Sequence, residues 1–410
     1  MEHYITEIKI ENLRHLSDIV ISLNPESRQH LLITGKNGSG KTSLLMAIQK
    51  YLQAINDDAL SVLRNDYKRL LSGAEERLKH AQSESEKFEA QSLYQQRQLW
   101  TEKYKEGIEL QFSEWKELGT LYKQGKFVTA YFPADRRTEM IRSHGVEDMK
   151  LDNYYDIRAT PGRLLHKYMV HLKTQQSYAR NEGDRANADR IQKWFERFVG
   201  ALRILLDDES VEMEYRYKEY DFKIHQRGRK PFGLDELSDG YSSVIYMLSD
   251  LILRMDKNWL LSENLSEYNT EGIVLIDELE THLHIELQKK ILPFLTTFFP
   301  GIQFIVTTHS PYILNSIVNA RAYDLERCME LDNLYLYSSD GLAEGYFEAD
   351  EYSDELVRTM ERYQYLVEKE ELSVEERAER AMLRSRLKDI PRGLAQEAWD
   401  KFEEIEGRHL

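Results

Sequence analysis

The chain has 410 residues, 41% of them apolar and 31% charged, which is a globular composition with enough apolar residues to build a core. Its formal net charge of −16 argues against a surface coated with nucleic acid, although a local basic groove would be compatible with it. A single cysteine, Cys328, excludes an internal disulfide and a cysteine cluster for zinc, so we expect a reducing, cytoplasmic location. We expect no membrane partner, because there is no signal-peptide pattern and no apolar run of about 20 residues.

The N-terminal part of the chain predicts strands, a glycine-rich loop and a helix. Residues 4–34 show β-branched alternation with a turn at 24–29, and "HLLIT" (30–34) is the continuous apolar run expected of a strand buried on both faces. This run leads through glycines into "KTSLLMAIQKYLQAI" (41–55), whose apolar residues have helical spacing. We therefore assign residues 1–55 to the first part of an α/β core.

Residues 56–125 are predicted to form a helical insertion. Apolar side chains recur every three or four positions from Leu60 to Leu78 and again from Tyr104 to Leu118, on either side of a polar stretch. We expect two amphipathic helices. They form either a short antiparallel arm or an ordinary helical subdomain packed on the core.

The chain is predicted to return to the core briefly after this insertion. Residues 126–137 contain an apolar strand, "KFVTAYF", which ends at Pro133. A second helical insertion follows over residues 138–207, with a break at "NEGDRAN" (181–187).

The last part of the chain completes the core and ends in helices. Residues 208–345 contain an alternating hairpin, a basic loop, a helix that begins near Ser238, and the two apolar strands "GIVLIDE" and "QFIVTT". Residues 346–410 are charged and helical, and Ser373 with Glu376 fits a capping box. The predicted fold class is α/β, with a mixed sheet flanked by helices, helical insertions and a helical C-terminal extension.

A phosphate-binding loop is the strongest motif in the sequence. Residues 35–42 match the pattern GxxxxGK[ST] between a predicted strand and a predicted helix, which is the setting that such a loop requires. Glycines let successive backbone N–H groups point at phosphate oxygens, and the helix N-terminus adds the positive end of its dipole. Lys41 supplies a charge for the β- and γ-phosphates, and Thr42 supplies a hydroxyl for Mg²⁺. The predicted nucleotide-binding residues are Gly35, Asn37, Gly38, Ser39, Gly40, Lys41, Thr42 and Ser43.

Two carboxylates follow the predicted strand in "GIVLIDE". Asp277 and Glu278 stand at its carboxyl end, where open α/β sheets place their ligands. We expect Asp277 to bind Mg²⁺, and Glu278 to orient and deprotonate the attacking water. An apolar strand that ends in Asp-Glu is common by itself. When such a strand follows a phosphate loop in the sequence, we expect its two carboxylates to form a second part of the same site.

The tetrapeptide "LSDG" (237–240) begins a predicted helix, for which Ser238 is well placed as the N-cap. A motif this short also suits an ordinary helix start. Its position between the phosphate loop and the Asp-Glu strand favours a functional role.

In this order the three motifs resemble those of the ATP-binding-cassette ATPases, in the soluble branch that includes SMC proteins, RecF and the OLD-family ATPases. In that family the LSxGx signature of one subunit closes over the γ-phosphate bound to the phosphate loop of another. The resemblance implies ATP as the nucleotide and an ATP-dependent homodimer or higher oligomer, in which Ser238, Asp239 and Gly240 act in trans. "FIVTTHSPYIL" resembles the switch segment of the family, which implies that His309 lies near the γ-phosphate and the attacking water.

The segment "DELETHLHIELQ" resembles the D-loop of the soluble branch and not that of transporter ATPases. The resemblance implies that Glu280 and Thr281 are D-loop residues. Leu279 and Ile285 replace the usual prolines, which leaves the local path of this loop open. The two histidines inside the segment have metal-like spacing, but they fit the D-loop better than a zinc site.

Two further nucleotide contacts are expected from the same resemblance. The N-terminal hairpin lies near the adenine in this branch, which makes Arg14 a candidate contact. The Q-loop glutamine of the family is missing from "TAYFPADRRTEM" (129–140). Either Asp135 or Arg136 takes its place, or this Mg²⁺ contact is absent.

The resemblance extends to the compact ATPases of bacterial anti-phage systems such as Septu, which lack long coiled-coil arms. It implies an ATPase that dimerises around Mg·ATP and gates a partner protein. The sequence shows neither a TOPRIM-like acidic strand set nor an HNH-type His/Asn cluster, so the expected nuclease is a separate subunit. The charged C-terminal helices are either its docking surface or a solvated bundle.

A RecF- or SMC-like DNA-binding ATPase in DNA repair is the alternative. "RGRK" (227–230), Arg136 and Arg137 could contact DNA phosphates, but the acidic total and the short arm count against this function. A transporter ATPase is disfavoured by the D-loop and by the large helical insertions.

Overall fold

The computed structural model describes residues 2–136, 140–261, 269–331, 333–345, 354–369, 371–388 and 396–407. The chain divides into two compact units, Met1–Ser338 and Ser339–Leu410. Among the described residues, no helix combines the length and the apolar character needed to cross a membrane.

The first unit is an α/β structure. Its strands are β1 (Ile5–Leu13), β2 (Leu16–Ser22), β3 (His30–Thr34), β4 (Ile108–Phe112), β5 (Phe127–Phe132), β6 (Glu212–Arg216), β7 (Asp221–His225), β8 (Glu271–Ile276), β9 (Ile302–Thr307), β10 (Ala320–Asp324) and β11 (Met329–Leu331). Its helices are α1 (Lys41–Asn56), α2 (Leu60–Asn65), α3 (Tyr67–His80), α4 (Glu84–Tyr104), α5 (Leu118–Lys123), α6 (Leu165–Glu182), α7 (Arg185–Leu206), α8 (Asp239–Leu261), α9 (Ile285–Phe298) and α10 (Pro311–Leu314).

The largest sheet has the strand order β11-β10-β3-β9-β8-β5 and is parallel except at the β10–β11 edge. Every residue of β3 and β9 is buried, as expected of parallel strands that are covered on both faces. The carboxyl ends of parallel strands lie at one edge of the sheet. The segments that follow β3, β5, β8 and β9 therefore come together there, which confirms the predicted α/β core.

A second sheet, with the order β2-β1-β4, corrects one prediction. The helix expected from Tyr104 to Leu118 is wrong, because Ile108–Phe112 is a strand that pairs antiparallel with β1. Ile108 and Phe112 are four residues apart, which fits a helix, but Leu110 between them is also buried. The strand period of two explains all three positions, whereas a helix would direct Leu110 away from the other two.

The first predicted helix of this insertion is confirmed as α2 and α3, with a break at Asp66. Helix α3 and the N-terminal part of α4 form a hairpin, in which Ser83 and Glu86 make a capping box at the start of α4. Few side chains of the hairpin are buried, and Phe88 is 77% exposed. Tyr104, at the other end of α4, belongs to the hydrophobic core of the unit.

The remaining predicted elements of the first unit are confirmed, and two strands were missed. The chain breaks between α6 and α7 at Gly183, whose φ is 79°, and the Asp184 side chain caps α7. The hairpin β6–β7 and helix α8 lie where the sequence predicts them. Strand β10 pairs parallel with β3, but its sequence "ARAYD" has no continuous apolar run, and the short β11 pairs with it at the edge.

The second unit is helical, as predicted for the C-terminal extension. Its helices are α11 (Ser339–Gly345), α12 (Asp354–Glu368), α13 (Val374–Lys388) and α14 (Gln396–Gly407). The predicted capping box is present, because the Ser373 amide donates to Glu376 Oε2 at 2.9 Å and the Glu376 amide donates to Ser373 Oγ at 3.1 Å. The core of the unit includes Tyr363, Leu387 and Phe402.

Candidate active site

The predicted phosphate loop connects β3 to α1 in a conformation that requires glycine. Gly35, Gly38 and Gly40 have φ angles of 130°, 86° and 99°, in the left-handed region that side chains disfavour. A Cβ atom on Gly35 would lie 2.8 Å from Ser39 Oγ, so the loop also has no space for a side chain at that position. The loop ends at the first turn of α1, where helical N–H groups are available to an anion.

The two functional side chains at the end of the loop differ in their surroundings. Lys41 is buried, and its ammonium donates to the carbonyl oxygens of Gly35 at 2.7 Å and Lys36 at 3.1 Å. Burial lowers the pKa of Lys41, an effect that the nearby carboxylates oppose. Thr42 is exposed, and its hydroxyl donates to Asp277 Oδ1 at 3.3 Å. Asn37 is exposed as well, and Ser43 is half-buried.

The two carboxylates after β8 lie beside the loop, and a threonine that the sequence analysis did not name links them. Thr307 Oγ1 donates to Asp277 Oδ1 at 2.6 Å and accepts from the Glu278 amide at 2.7 Å. Asp277 is buried, and its amide donates to the Phe132 carbonyl of the neighbouring strand β5. The only sequence signal for Thr307 is a hydroxyl at the end of a mostly apolar strand.

Glu278 has a φ of 45°, which turns the chain sharply out of β8. The Thr281 hydroxyl lies 3.4 Å from Glu278 Oε2 and donates to it. The predicted D-loop and the predicted switch histidine meet here, because the His309 amide donates to Glu280 Oε1 at 2.5 Å. Burial lowers the pKa of His309, and the nearby Lys41 acts in the same direction.

Buried polar atoms without partners mark this site as a place for a ligand. Among the described residues, Ser39 Oγ, Glu280 Oε2 and His309 Nε2 have no hydrogen-bond partner, although each atom is buried. Such atoms are rare in folded proteins and cost free energy unless a ligand or water satisfies them. The oxygens of Thr42 and Asp277 are hard ligands of the kind that Mg²⁺ prefers when phosphates complete its coordination. The residues present therefore fit Mg²⁺ with a nucleotide.

No protein cage for a metal is present elsewhere in the part of the chain that the structure describes. Within it, no group of three or more His, Cys, Asp or Glu residues could hold a metal ion.

Arg136, for which the resemblance predicts a nucleotide contact, makes hydrogen bonds to protein groups. It is buried, and its guanidinium donates to the carbonyl oxygens of Asp277 at 2.5 Å and Glu278 at 2.9 Å. It also donates to Pro133 O and to Ser243 Oγ, each at 3.0 Å. Burial lowers the pKa of Arg136 to about 10, so the side chain stays charged at neutral pH.

These contacts direct Arg136 towards backbone carbonyls and not towards the phosphate loop. The residue lies after β5, where the resemblance predicts a Q-loop, and it donates to the backbone that carries the two carboxylates. Asp135, the other candidate, is exposed. Arg137 lies outside the described residues.

The predicted signature residues lie at the start of α8, and they differ in their exposure to solvent. Ser238 and Asp239 are exposed, whereas Gly240 is buried. A Cβ atom on Gly240 would lie 2.5 Å from the carbonyl oxygen of His282 in the D-loop, so only glycine fits this packing. The structure thus brings the signature helix against the D-loop of the same chain.

The N-terminal hairpin contacts the phosphate loop through two residues that follow Arg14, the predicted nucleotide contact. Arg14 is exposed in the β1–β2 turn, with a φ of 55°. His15 Nε2 donates to the Ser39 carbonyl at 3.1 Å. Leu16 would lie 3.0 Å from a Cβ atom on Gly40. The resemblance predicts the hairpin near the nucleotide, but the sequence gives no separate signal for these two contacts.

Comparisons with known proteins agree with this geometry. Residues 4–78 match a family model described as an AAA ATPase domain, and residues 150–315 match a model described as "AAA domain, putative AbiEii toxin, Type IV TA system". A Septu protein PtuA from Bacillus mycoides is 23% identical over 78% of this chain and 40% of its own length. The retron Vc95 probable ATPase from Vibrio cholerae is 29% identical over 54% of this chain and 42% of its own length. The chain thus spans less than half the length of these relatives.

Among solved structures, an SMC head bound to the C-winged helix domain of ScpA aligns with 78% of this chain and 94% of its own, at 12% identity and a TM-score of 0.38. The two ATPase models together cover the phosphate loop, the signature helix, the Asp-Glu strand and the switch histidine. The two family models and the geometry of the loop and its carboxylates confirm the predicted enzyme class: the chain is a P-loop ATPase, similar in sequence to a Septu protein PtuA and to a retron ATPase.

Proposed function

We propose that two copies of this chain enclose Mg²⁺ and ATP, and that each copy completes the site of the other with the residues that begin α8. The division of the site within one chain carries the proposal. The loop threonine, Asp277, Glu278 and the D-loop are linked by hydrogen bonds, whereas Ser238 and Asp239 are exposed. An exposed serine at a helix start can donate its hydroxyl and backbone N–H groups to a phosphate of another chain.

Glu278 is the proposed general base. The Thr281 hydroxyl limits the positions of its carboxylate, and Thr307 binds its amide, so the side chain projects from a defined backbone. His309 stays neutral near pH 7, because burial lowers its pKa, and its Nε2 is available to a γ-phosphate or to the attacking water. When bound by Thr42 and Asp277, Mg²⁺ would neutralise charge on the β- and γ-phosphates.

The base is tested with the Glu278→Gln variant. We expect ATP hydrolysis to fall by at least about 100-fold, because the amide cannot accept the proton, while ATP binding persists. Light scattering after size exclusion should then show a stable dimer in the presence of Mg·ATP. Glu286→Gln, at an exposed glutamate in the first turn of α9, is the matched control and should hydrolyse ATP normally. Normal turnover by Glu278→Gln would remove Glu278 from this role.

The contribution in trans is tested with Ser238→Arg. A large cation at this position would block the approach of a second copy, so hydrolysis and ATP-dependent dimerisation should both be lost while one chain still binds ATP. Ser72→Arg, at an exposed serine of α3, is the control. A monomeric Ser238→Arg protein that hydrolyses ATP as fast as the original chain would refute the shared site.

The biological role that we propose is anti-phage defence, in which the ATP cycle gates a separate nuclease. The similarity to a Septu protein PtuA and to retron ATPases supports this role, although the chain covers only 40% and 42% of two such relatives. Affinity purification from native cells, with and without ATP and with the Glu278→Gln variant, should recover a nuclease that mass spectrometry identifies. Recovery of no nuclease, together with restored recombination in a repair mutant, would contradict the role.

Direct DNA binding is the second candidate function. Residues 227–230 ("RGRK") lie on an exposed turn after β7, and they include three cations. Arg136 no longer supports this candidate, because it is buried against backbone carbonyls. ATP-dependent DNA binding by the isolated protein, which weakens steeply with salt and is lost when the three cations are replaced by serine, would favour it.

A further inference from the structure

A groove of about 700 Å³ lies between α7 and α9, and none of its described lining residues belongs to a motif of the nucleotide site. Near one end of the groove, Arg197 of α7 donates to the Phe298 carbonyl of α9 at 3.0 Å. At the other end Asp207, which directly follows α7, pairs with Lys290 near the start of α9 at 3.0 Å. The two helices therefore run antiparallel, and the groove between these contacts is about 15 Å long.

The lining of the groove is largely apolar. Its residues that have an apolar side chain or no side chain are Gly200, Ala201, Ile204, Pro293, Phe294 and Phe298. Ile204 is 54% exposed, so part of this apolar surface faces solvent. An apolar groove between two helices is a surface into which a third helix packs a ridge of its side chains. A groove of this length accommodates about three turns of such a helix.

Gly200 indicates that another backbone approaches the groove closely. It lies in the interior of α7, where glycine destabilises a helix relative to alanine. Beyond its own helical backbone, a Cβ atom at this position would meet no atom of the described residues within 4 Å. The packing of the chain itself therefore does not require glycine there. A partner helix packed on α7 would require it, because the missing side chain leaves room for a second backbone.

The groove is lined by positive charge in a chain whose net charge is −16. Its charged lining residues are Arg197, Lys289 and Lys290, and the described lining contains no carboxylate. Lys289 pairs with Glu286 at 3.1 Å outside the groove. Exposed pairs of this kind, including that of Lys290 with Asp207, contribute little free energy, so a partner's carboxylates can replace them. Charge complementarity therefore favours an acidic partner.

Helix α9 connects the groove to the nucleotide site. Gln288 Oε1 accepts from the Ser310 hydroxyl at 2.6 Å, and its Nε2 donates to the Leu283 carbonyl of the predicted D-loop segment at 2.7 Å. Ser310 directly follows His309, the predicted switch histidine. Lys289, the next residue of α9, lines the groove. A partner in the groove would therefore lie against the helix that contacts the switch segment.

We propose that the groove between α7 and α9 binds an acidic amphipathic helix of a partner protein, with its apolar side chains over Gly200 and its carboxylates at Lys289 and Lys290. The inference deepens the proposed function, since it rests on the existence of a gated partner and adds the chemistry of the segment by which that partner docks. Binding in the groove needs no nucleotide, so it is tested without ATP.

A synthetic helix is the probe for this test. It is a fluorescein-labelled peptide of roughly 14 residues, with leucine at every third or fourth position and glutamate at most others. The control peptide has the same composition in an order that breaks the helical spacing. Fluorescence anisotropy with the 410-residue chain should give a dissociation constant below about 100 μM for the first peptide and no saturable binding for the second. Equal binding of the two peptides, or no binding of the first, would overturn the proposal and leave the proposed ATPase intact.

Gly200→Leu tests the apolar part of the groove. Leucine would occupy open space on a helix, so the urea midpoint of unfolding should not fall. The variant should nevertheless bind the acidic peptide at least about tenfold more weakly, because the new side chain fills the groove. Ala186→Leu, at an exposed position in the first turn of the same helix, is the matched control and should bind normally. An unchanged affinity of Gly200→Leu would refute the docking site.

Lys289→Glu tests the charge. It should weaken binding of the acidic peptide by at least about threefold, because a cation beside the peptide's carboxylates becomes an anion. Lys87→Glu, at an exposed position of α4, changes the net charge equally and should bind normally. A Lys289→Glu protein with unchanged affinity would overturn the acidic partner. Self-association of the original chain without nucleotide, lost in Gly200→Leu by light scattering, would assign the groove to a second copy and overturn the proposal as well.

Discussion

Replacing Arg136 with lysine should separate the positioning of Glu278, the proposed general base, from nucleotide binding. Lysine keeps the charge, but its ammonium is a compact group that cannot reproduce the fork of a guanidinium. In the structure that fork contacts the carbonyl oxygens of Asp277 and Glu278, the Pro133 carbonyl and the Ser243 hydroxyl. The variant therefore leaves buried acceptors without donors.

The expected loss of stability follows from these contacts. Each carbonyl left without a donor costs about 1 to 3 kcal/mol, and a broken buried charge network costs about 3 to 5 kcal/mol. Because lysine still satisfies part of the network, we expect a destabilisation of about 2 to 3 kcal/mol. Domain stabilities of about 5 to 15 kcal/mol leave such a variant folded.

The expected loss of activity is larger than the loss of binding. Glu278 leaves β8 at a φ of 45°, and Arg136 donates to its carbonyl at 2.9 Å. Without that bond the carboxylate is no longer fixed, and a displacement of about 1 Å can reduce turnover by about 100-fold. The kcat of Arg136→Lys should fall by about 10- to 100-fold, while its affinity for ATP changes by less than about threefold, since Arg136 donates to backbone carbonyls and not to the loop.

The assays are urea unfolding, steady-state ATP hydrolysis and titration with a fluorescent ATP analogue. Arg158→Lys is the matched control, because Arg158 is exposed and its Nε and Nη2 both donate to the side-chain oxygen of Gln49. It should change stability by less than about 0.5 kcal/mol. The reasoning is refuted if Arg136→Lys keeps both normal stability and normal turnover, or if it loses ATP affinity as much as it loses kcat.

Two further predictions concern buried polar groups. Thr307→Val removes the hydroxyl that joins Asp277 to the Glu278 amide. The free energy of unfolding in urea should therefore fall by about 1 to 3 kcal/mol, and the rate of ATP hydrolysis should fall as well. A variant that keeps both values would show that these two hydrogen bonds are unimportant. Burial lowers the pKa of His30 from 6.5 to about 4. Between these pH values the unfolded chain therefore binds a proton that the folded chain does not. The free energy of unfolding should drop by about 3 kcal/mol as the pH falls from about 6.5 to about 4. His30→Asn, whose side-chain oxygen can still accept from the Phe304 amide, should flatten that slope in urea titrations at several pH values; an unchanged slope would assign the acid sensitivity to other groups.

The sequence predicted the parts of the fold whose signals are local. The phosphate loop, α8 and the strands β8 and β9 each have a motif or a periodic pattern that belongs to one kind of element. Strand β4 lacks this property, because Ile108 and Phe112 satisfy both a helical and a strand spacing, and only pairing with β1 decides between them. Strand β10 owes its conformation to its position beside β3 and not to its half-polar sequence.

The same distinction applies to the site. Motif residues could be named because their chemistry and their spacing are encoded in short segments. The roles of Arg136 and Thr307 depend on which backbone groups the folded chain brings next to them, and no spacing specifies those groups. An arginine after a strand end therefore suggests a nucleotide contact, although this one donates to carbonyls that follow the neighbouring strand β8.

The contacts of α8 indicate how a second subunit could influence hydrolysis. A Cβ atom on Gly240 would lie 2.5 Å from the His282 carbonyl oxygen, so the start of α8 lies directly against the D-loop. Four residues into the same helix, Ser243 accepts from Arg136, which also donates to the Glu278 carbonyl. A partner that binds the exposed start of α8 would therefore act on Glu278, the proposed general base, through both the D-loop and Arg136. We expect Ser243→Ala, which cuts one of these links and leaves the motifs intact, to reduce ATP hydrolysis more than it reduces ATP-dependent dimerisation, as measured by light scattering.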